Sequence, residues 1–338
     1  MKCTNKKLFR KNRTRAKRPV LYVLLILFAV ATLGVTGFAL HTIKSEKNTE
    51  TVQMDWYHHS TYEAKLFAED ICVVNQDVLC DDFRNTSRFF GALLFDEEAC
   101  NPIYAEKLNQ KLYPASTTKI LTAYVALKYG ELDSLLTVGP NAVAVPSDSS
   151  KANLKLGDQL TLRDALYALM LPSGNDCAVA IAEHISGSVD EFAALMNQEA
   201  HLLGATKSNF VNPHGYQDAS HYTTAYDLYL MFHAAIKNPV FVDVVSSAQW
   251  TANVIQKDGT TRSMTWKQSN PYVNGALKAP EGIKVIGGKT GTTSEAGACL
   301  VLYSTKQDGS PYISIFMGAY SRPNLYDNMT GLLQAIPN

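Results

Sequence analysis

The stretches that alternate like β-strands lie at the two ends of the chain's apolar body, and most of what separates them repeats at helical spacing. "RFFGALLFDEEACNPIYAEK" (88–107) reads as two strands around a turn at 96–102. "KVIGGKTG" (284–291), "GACLVLYST" (297–305) and "YISIFMGAYS" (312–321) read as three more, the last two joined by a turn in "KQDGSP". Between these ends, helices are predicted over 116–129, 161–170, 175–186, 189–203 and 223–237. Thr161 with Asp164, and Ser188 with Glu191, have the spacing of N-terminal cap pairs, and Gly130 is a stop signal. Strands at both ends with helices between them predict an α+β domain: one antiparallel sheet of about five strands with helices packed on it.

A second constraint lies upstream. Residues 20–40, "VLYVLLILFAVATLGVTGFAL", carry no charge. Twenty-one residues at 1.5 Å each reach roughly 31 Å, the thickness of a bilayer core. The preceding residues 1–19 hold nine lysines and arginines and no acid. By the positive-inside rule they form a basic cytoplasmic tail, with 20–40 as a single transmembrane helix and the remainder outside. Cleavage near "GFA" at 37–39 is the rival reading, which releases the protein. The polar stretch 41–84 reads as an extracytoplasmic spacer, 85–322 as the main folded domain and 323–338 as a C-terminal tail. The net charge of zero conceals this asymmetry: without the first nineteen residues, 22 basic side chains face 31 acidic ones. That balance argues against nucleic acid as a partner.

Six cysteines occur, at 3, 72, 80, 100, 177 and 299, with Cys3 on the cytosolic side. Cys72 and Cys80 could close a small loop, or one of them could reach Cys100; spacing does not choose. Cys177 and Cys299 read as core residues. No cysteine pair has metal-ligand spacing and no H-x-x-x-H or H-E-x-x-H occurs, so neither a metal nor another cofactor is expected.

The helix predicted from Ser116 places Lys119 on the same face, three residues on. A serine hydroxyl needs a base, and a lysine becomes one when burial disfavours its charged form. The apolar residues that follow supply a dry setting, and the positive end of the helix dipole further disfavours an ammonium. One S-x-x-K is expected by chance in a chain of this length, so the motif gains meaning only from company. Two further motifs supply it. "LPSGND" (171–176) interrupts two apolar helices with Ser173 and Asn175, whose bland reading is a capped turn. "GGKTGTTS" (287–294) puts glycines inside a strand, which weakens it unless a ligand or another backbone comes close.

S-x-x-K at 116, S-x-N at 173 and K-T-G at 289 follow the order found in penicillin-binding proteins and class A β-lactamases. The chain resembles the low-molecular-weight penicillin-binding proteins, the serine D-alanyl-D-alanine carboxypeptidases. "PASTTKILTAYVAL", "SGNDCAVAIAEHISGSVDEFAALMN", "FVNPHGYQDASHYTTAYDL" and "GGKTGTTSEAGACLV" all carry the likeness, over roughly 88–320. It implies the penicillin-binding/serine β-lactamase-like transpeptidase fold. It also implies that Ser116 attacks the carbonyl between two D-alanines of a peptidoglycan stem peptide, with Lys119 as base and Ser173 relaying a proton to the leaving amine. Asn175 would hold Lys119 and the substrate backbone. Lys289 and Thr290 would receive the terminal carboxylate, Gly291 would let the strand approach, and Thr292 would lend a backbone N–H to the oxyanion. Arg322 would help grip the carboxylate, with a surface arginine as the alternative.

β-Lactam antibiotics are implied as inhibitors. Many family members carry a C-terminal β-domain and an amphipathic membrane helix, so here the N-terminal segment is expected to serve as the anchor. His214, in "NPHG", reads as shaping its loop. Two rival functions stay open at this level: a class A-like β-lactamase, for which no E-x-x-L-N segment occurs between 173 and 289, and a non-catalytic penicillin-sensing or wall-binding domain.

Overall fold

The computed structural model describes residues 70–87 and 90–337. The apolar run 20–40 and the basic segment before it lie outside these residues. Among the described residues no single helix is long and apolar enough to cross a membrane.

Both ends of the domain meet in one sheet, as their alternating patterns predict. β1 (Gly91–Asp96) and β2 (Asn101–Glu106) form the first hairpin. A short 3₁₀ turn, Ala115–Thr118, leads into α1 (Lys119–Tyr129). Two three-residue strands follow, β3 (Leu135–Thr137) and β4 (Gln159–Thr161). Then come α2 (Leu162–Met170), α3 (Asn175–Ser186), α4 (Val189–Leu202), α5 (Ala225–Ile236) and α6 (Pro239–Ser246). The chain closes with β5 (Gln249–Ile255), β6 (Thr261–Lys267), β7 (Ile283–Thr293), β8 (Gly297–Lys306), β9 (Pro311–Ala319) and α7 (Arg322–Gln334). The main sheet is antiparallel in the order β2-β1-β9-β8-β7, so β1 lies between β2 and the last strand of the chain.

This sheet is covered on both faces. Along β8, Cys299 and Val301 face one apolar cluster while Ala298, Leu300 and Leu302 face another. Leu93 and Phe95 of β1, and Ile315 and Met317 of β9, join the first. Ala92, Leu94 and Phe316 join the second. The side-chain period of two therefore splits one continuous apolar run between two cores. Helices α1 to α6 supply residues to the first cluster and α7 to the second.

Three features depart from the sequence reading. First, β3-β4-β5-β6 make a separate four-stranded sheet. Its outer hairpin turns at Asp258-Gly259, with Gly259 at φ +84°. β3 and β4 are too short to leave a pattern. Second, the stretch 323–338, read as a tail, lies mostly within α7. Ser321 caps it, Pro323 sits in its first turn, and Leu325, Met329, Leu332 and Leu333 are buried on the sheet. Third, the domain begins before residue 85. Cys72 and Phe83 are buried, and Val78 bridges to Ala105 of β2. Cys72 and Cys80 pack in the two different clusters and are not joined.

The local signals held where their bonds are local. Thr161 Oγ1 accepts from the Asp164 N–H and Ser188 Oγ from the Glu191 N–H, both at 3.1 Å.

Candidate active site

Three chain segments meet at Ser116. The first is the 3₁₀ turn. Ala115 adopts φ +47°, an uncommon conformation for a residue with a Cβ, and the chain then tightens into α1. Ser116 and Lys119 thereby face the same side, with Lys119 Nζ 3.0 Å from Ser116 Oγ. The Lys119 side chain is wholly buried. Its nitrogen also donates to Asn175 Oδ1 at 2.7 Å and to the His214 carbonyl at 2.9 Å. No carboxylate is among these partners. Burial, with the charge of Lys289 as a smaller cause, holds the Lys119 ammonium well below the usual lysine range.

The second segment is the break between α2 and α3. Ser173 takes φ +65°, and Gly174 ends the turn so that Asn175 becomes the first residue of α3. Asp176 fixes this corner: its carboxylate accepts from the Ala152 and Leu154 N–H groups at 2.8 and 3.0 Å. The Asn175 N–H donates to the Ser150 carbonyl at 2.8 Å. Asn175 is thus held from the backbone side while its amide oxygen faces Lys119.

The third segment is β7, at the edge of the main sheet. Lys289 is 1% exposed, and its Nζ donates to Ser173 Oγ and to the Thr290 carbonyl, both at 2.9 Å. Burial pushes its pKa down to about 7. The Thr290 hydroxyl lies 3.1 Å from the hydroxyl of Ser269.

Two clefts meet over Ser116. One, of about 180 Å³, is bordered by Ser173, Ser269, Thr290, Gly291 and Arg322. The other, of about 620 Å³, opens past Asn175 toward Asp148, Tyr216 and Glu295. Thr292 borders both. The site residues named from the sequence therefore border these clefts, except Lys119, which is one hydrogen bond from Ser116, and Lys289, which reaches the smaller cleft through its bond to Ser173. Arg322 reaches the smaller one from the first turn of α7, a helix the sequence did not reveal.

The sequence reading missed Ser150, Asp176 and Ser269. None of the three carries a distinguishing spacing; a hydroxyl or carboxylate in a loop is common, and only the folded chain shows what it faces. His214 contributes through its backbone carbonyl, and its ring Nδ1 accepts from the Tyr216 N–H at 3.1 Å, which shapes the loop as expected.

In chemical terms the arrangement offers a hydroxyl beside a desolvated amine, a second buried amine on a second hydroxyl, and an arginine at the mouth of one cleft. Comparison with known proteins agrees with it. The D-alanyl-D-alanine carboxypeptidase family profile matches residues 87–321. D-alanyl-D-alanine carboxypeptidase DacA of Haemophilus influenzae is 35% identical over 235 residues, covering 68% of this chain and 54% of its own. The D-alanyl-D-alanine carboxypeptidase of Streptomyces sp. strain K15 is 34% identical over 242 residues, covering 68% of this chain and 81% of its own. The chain thus spans about half the length of the Haemophilus relative and most of the Streptomyces one.

Among solved structures, the Streptomyces K15 DD-transpeptidase superposes with a TM-score of 0.67 at 31% identity, covering 72% of this chain and 95% of that one. Penicillin binding protein 5 from Haemophilus influenzae gives 0.64 at 30% identity, covering 78% and 72%. The matched span takes in Ser116, Ser173 and Lys289 together with the sheet and helices that hold them, and on that ground the chain belongs to the D-alanyl-D-alanine carboxypeptidase family.

Proposed function

We propose that this chain is a serine D-alanyl-D-alanine carboxypeptidase that removes the terminal D-alanine of peptidoglycan stem peptides. The observation that carries the reading is the dry Lys119 amine 3.0 Å from Ser116 Oγ, with no carboxylate among its hydrogen-bond partners and burial outweighing the more distant charge of Asp176. A neutral amine there accepts the hydroxyl proton as Oγ bonds to the carbonyl carbon between the two D-alanines. The oxyanion is met by the backbone N–H of Ser116 and, by family resemblance, that of Thr292; such donors are each worth roughly 3–4 kcal/mol in acyl transfer. Ser173, bonded to Lys289, passes its hydroxyl proton to the leaving amine as the C–N bond breaks and is reprotonated at the expense of the Lys119 ammonium, which returns to the neutral amine. Thr290 and the Arg322 guanidinium receive the substrate carboxylate, and Lys289 adds positive charge in its protonated form, which the incoming anion favours. Water then cleaves the Ser116 ester, with Lys119 again taking a proton. β-Lactams would acylate the same oxygen.

The anchoring belongs to the same proposal. Nine basic residues before an uncharged run of 21 support a single-pass helix, with the catalytic domain outside the bacterial cell membrane. The test is incubation of the full chain with a peptide ending in D-Ala-D-Ala, assaying free D-alanine. Release that vanishes in Ser116→Ala supports the reading, and release that persists overturns it.

The likeness to a DD-transpeptidase favours a second outcome, in which an amine replaces water as acyl acceptor. Adding a glycine acceptor to the same assay separates the two by product mass.

A further inference from the structure

The loop 209–222 packs against the turn that carries Ser116, and His221 and Gly215 both contact it. The ring is 2% exposed and held at both nitrogens. The Val211 N–H donates to Nδ1 at 3.2 Å, so a neutral ring carries its proton on Nε2. Nε2 lies 2.8 Å from Thr118 Oγ1 and, in that tautomer, donates to it. Thr118 in turn donates its hydroxyl proton to the Ala115 carbonyl at 2.9 Å. Ala115 directly precedes Ser116 and is the residue at φ +47°. The same carbonyl is pressed by Gly215, where a Cβ would lie 1.7 Å from the oxygen. One chain of donors therefore runs from the loop backbone, through an imidazole and a hydroxyl, to the uncommon backbone turn beside the nucleophile.

We propose that His221, acting through Thr118, is a positioning residue: it holds the Ala115 carbonyl and so sets Ser116 Oγ against Lys119 and the clefts. The proposal rests on the assignment of Ser116 as nucleophile. His221 borders neither cleft that opens on Ser116, so its action on the substrate is indirect. Burial lowers its pKa to about 4, which keeps the ring neutral and the direction of the donor chain constant around neutral pH. A conformation that most residues avoid persists only where neighbours over-determine it, and these contacts supply that.

The test uses the full chain with His221→Leu, His221→Gln, Thr118→Val and the His221→Leu/Thr118→Val double variant. Three quantities are read: the rate of Ser116 labelling by a fluorescent penicillin, kcat and KM on a peptide ending in D-Ala-D-Ala, and the unfolding midpoint. His221→Leu and Thr118→Val are each expected to slow labelling about tenfold, since each leaves a buried polar group unmet. The loss should fall in kcat, with KM unchanged within about twofold. His221→Gln, whose amide can donate to Thr118, should recover most of the rate. The double variant should be no slower than the slower single one, because both break the same chain. Multiplying losses, or parent-like labelling in His221→Leu, overturns the proposal. If His221→Leu does not fold, Thr118→Val, a near-isosteric change, decides the question alone. A parent chain that takes up no penicillin label on Ser116 overturns the nucleophile assignment itself, an outcome distinct from failure of the relay.

Discussion

A methyl group placed on Gly291 would fall 2.9 Å from the backbone nitrogen of Ser116, and 3.0 Å from the nitrogen of Thr117 and the carbonyl of Pro114. Strand β7 and the nucleophile's turn meet backbone against backbone. Pairing with Cys299 holds Gly291 on its other side, so the strand has little room to yield. Gly291→Ala is expected to push the turn away from β7. Penicillin labelling of Ser116 should slow on the order of a hundredfold, as small misplacements do, at a stability cost of about 1–3 kcal/mol. Labelling at the parent rate would show that the close approach does not matter to the chemistry.

Lys119→Arg tests the base. A guanidinium cannot deprotonate in the working range, so the hydroxyl faces a fixed cation where it had a neutral acceptor. Labelling followed by intact-mass spectrometry should show a loss of about a thousandfold. A variant that acylates within a few-fold of the parent would remove Lys119 from the role.

Lys289 makes stability depend on pH. Its pKa is about 7 in the folded chain against an ordinary 10.5, so between these values the unfolded chain binds a proton that the folded one does not. Stability therefore rises with pH across this window, approaching ~1 kcal/mol per pH unit; the burial cost is full below pH 7. Lys119, also lowered by burial, acts with the same sign. Buried Cys299, raised to about 12, acts with the opposite sign at more alkaline pH. Urea unfolding between pH 7 and 8.5 should thus show a rise that is shallower in Lys289→Met. Equal slopes in the two proteins would contradict the lowered value.

Arg322 stands exposed at the mouth of the smaller cleft. Arg322→Ala should raise KM about tenfold for a peptide with a free terminal carboxylate, the loss of one charge-assisted contact. Binding of the same peptide with a C-terminal amide, read by competition, should be unchanged. An equal effect on both would make Arg322 a bystander to carboxylate recognition.

Helix α7 contributes to the core more than its polar sequence suggests. Leu332 is fully buried against the second face of the sheet. Leu332→Ala should cost about 2–5 kcal/mol in urea unfolding, the range for emptying a core leucine site. A cost near zero would mean that α7 is only loosely docked.

Much of the site was legible because its spacing is local. Ser116 and Lys119 share a face through three residues of helical geometry, and Thr161, Ser188 and their partners form caps through the same short-range rule. The strands of the main sheet could be read from alternation. Helix α7 could not: "RPNLYDNMTGLLQ" mixes a proline, a glycine and two buried asparagines, and its place depends on fit, such as Gly331 lying under the Phe83 ring. The three-residue strands β3 and β4 were too short to carry a period.

By itself, then, the sequence determined the strands of the main sheet and helices α1 to α5 in their order, the family likeness and the residues able to do acyl chemistry. These follow from periodicities and side-chain types that act over a few positions. Tertiary structure alone decided that Lys119 and Lys289 are dry enough to lose protons, that Arg322 comes to the cleft, and that His221 reaches the turn beside Ser116. Each of those depends on water being excluded, or on partners far apart in the chain being brought together, and only a closed core does either.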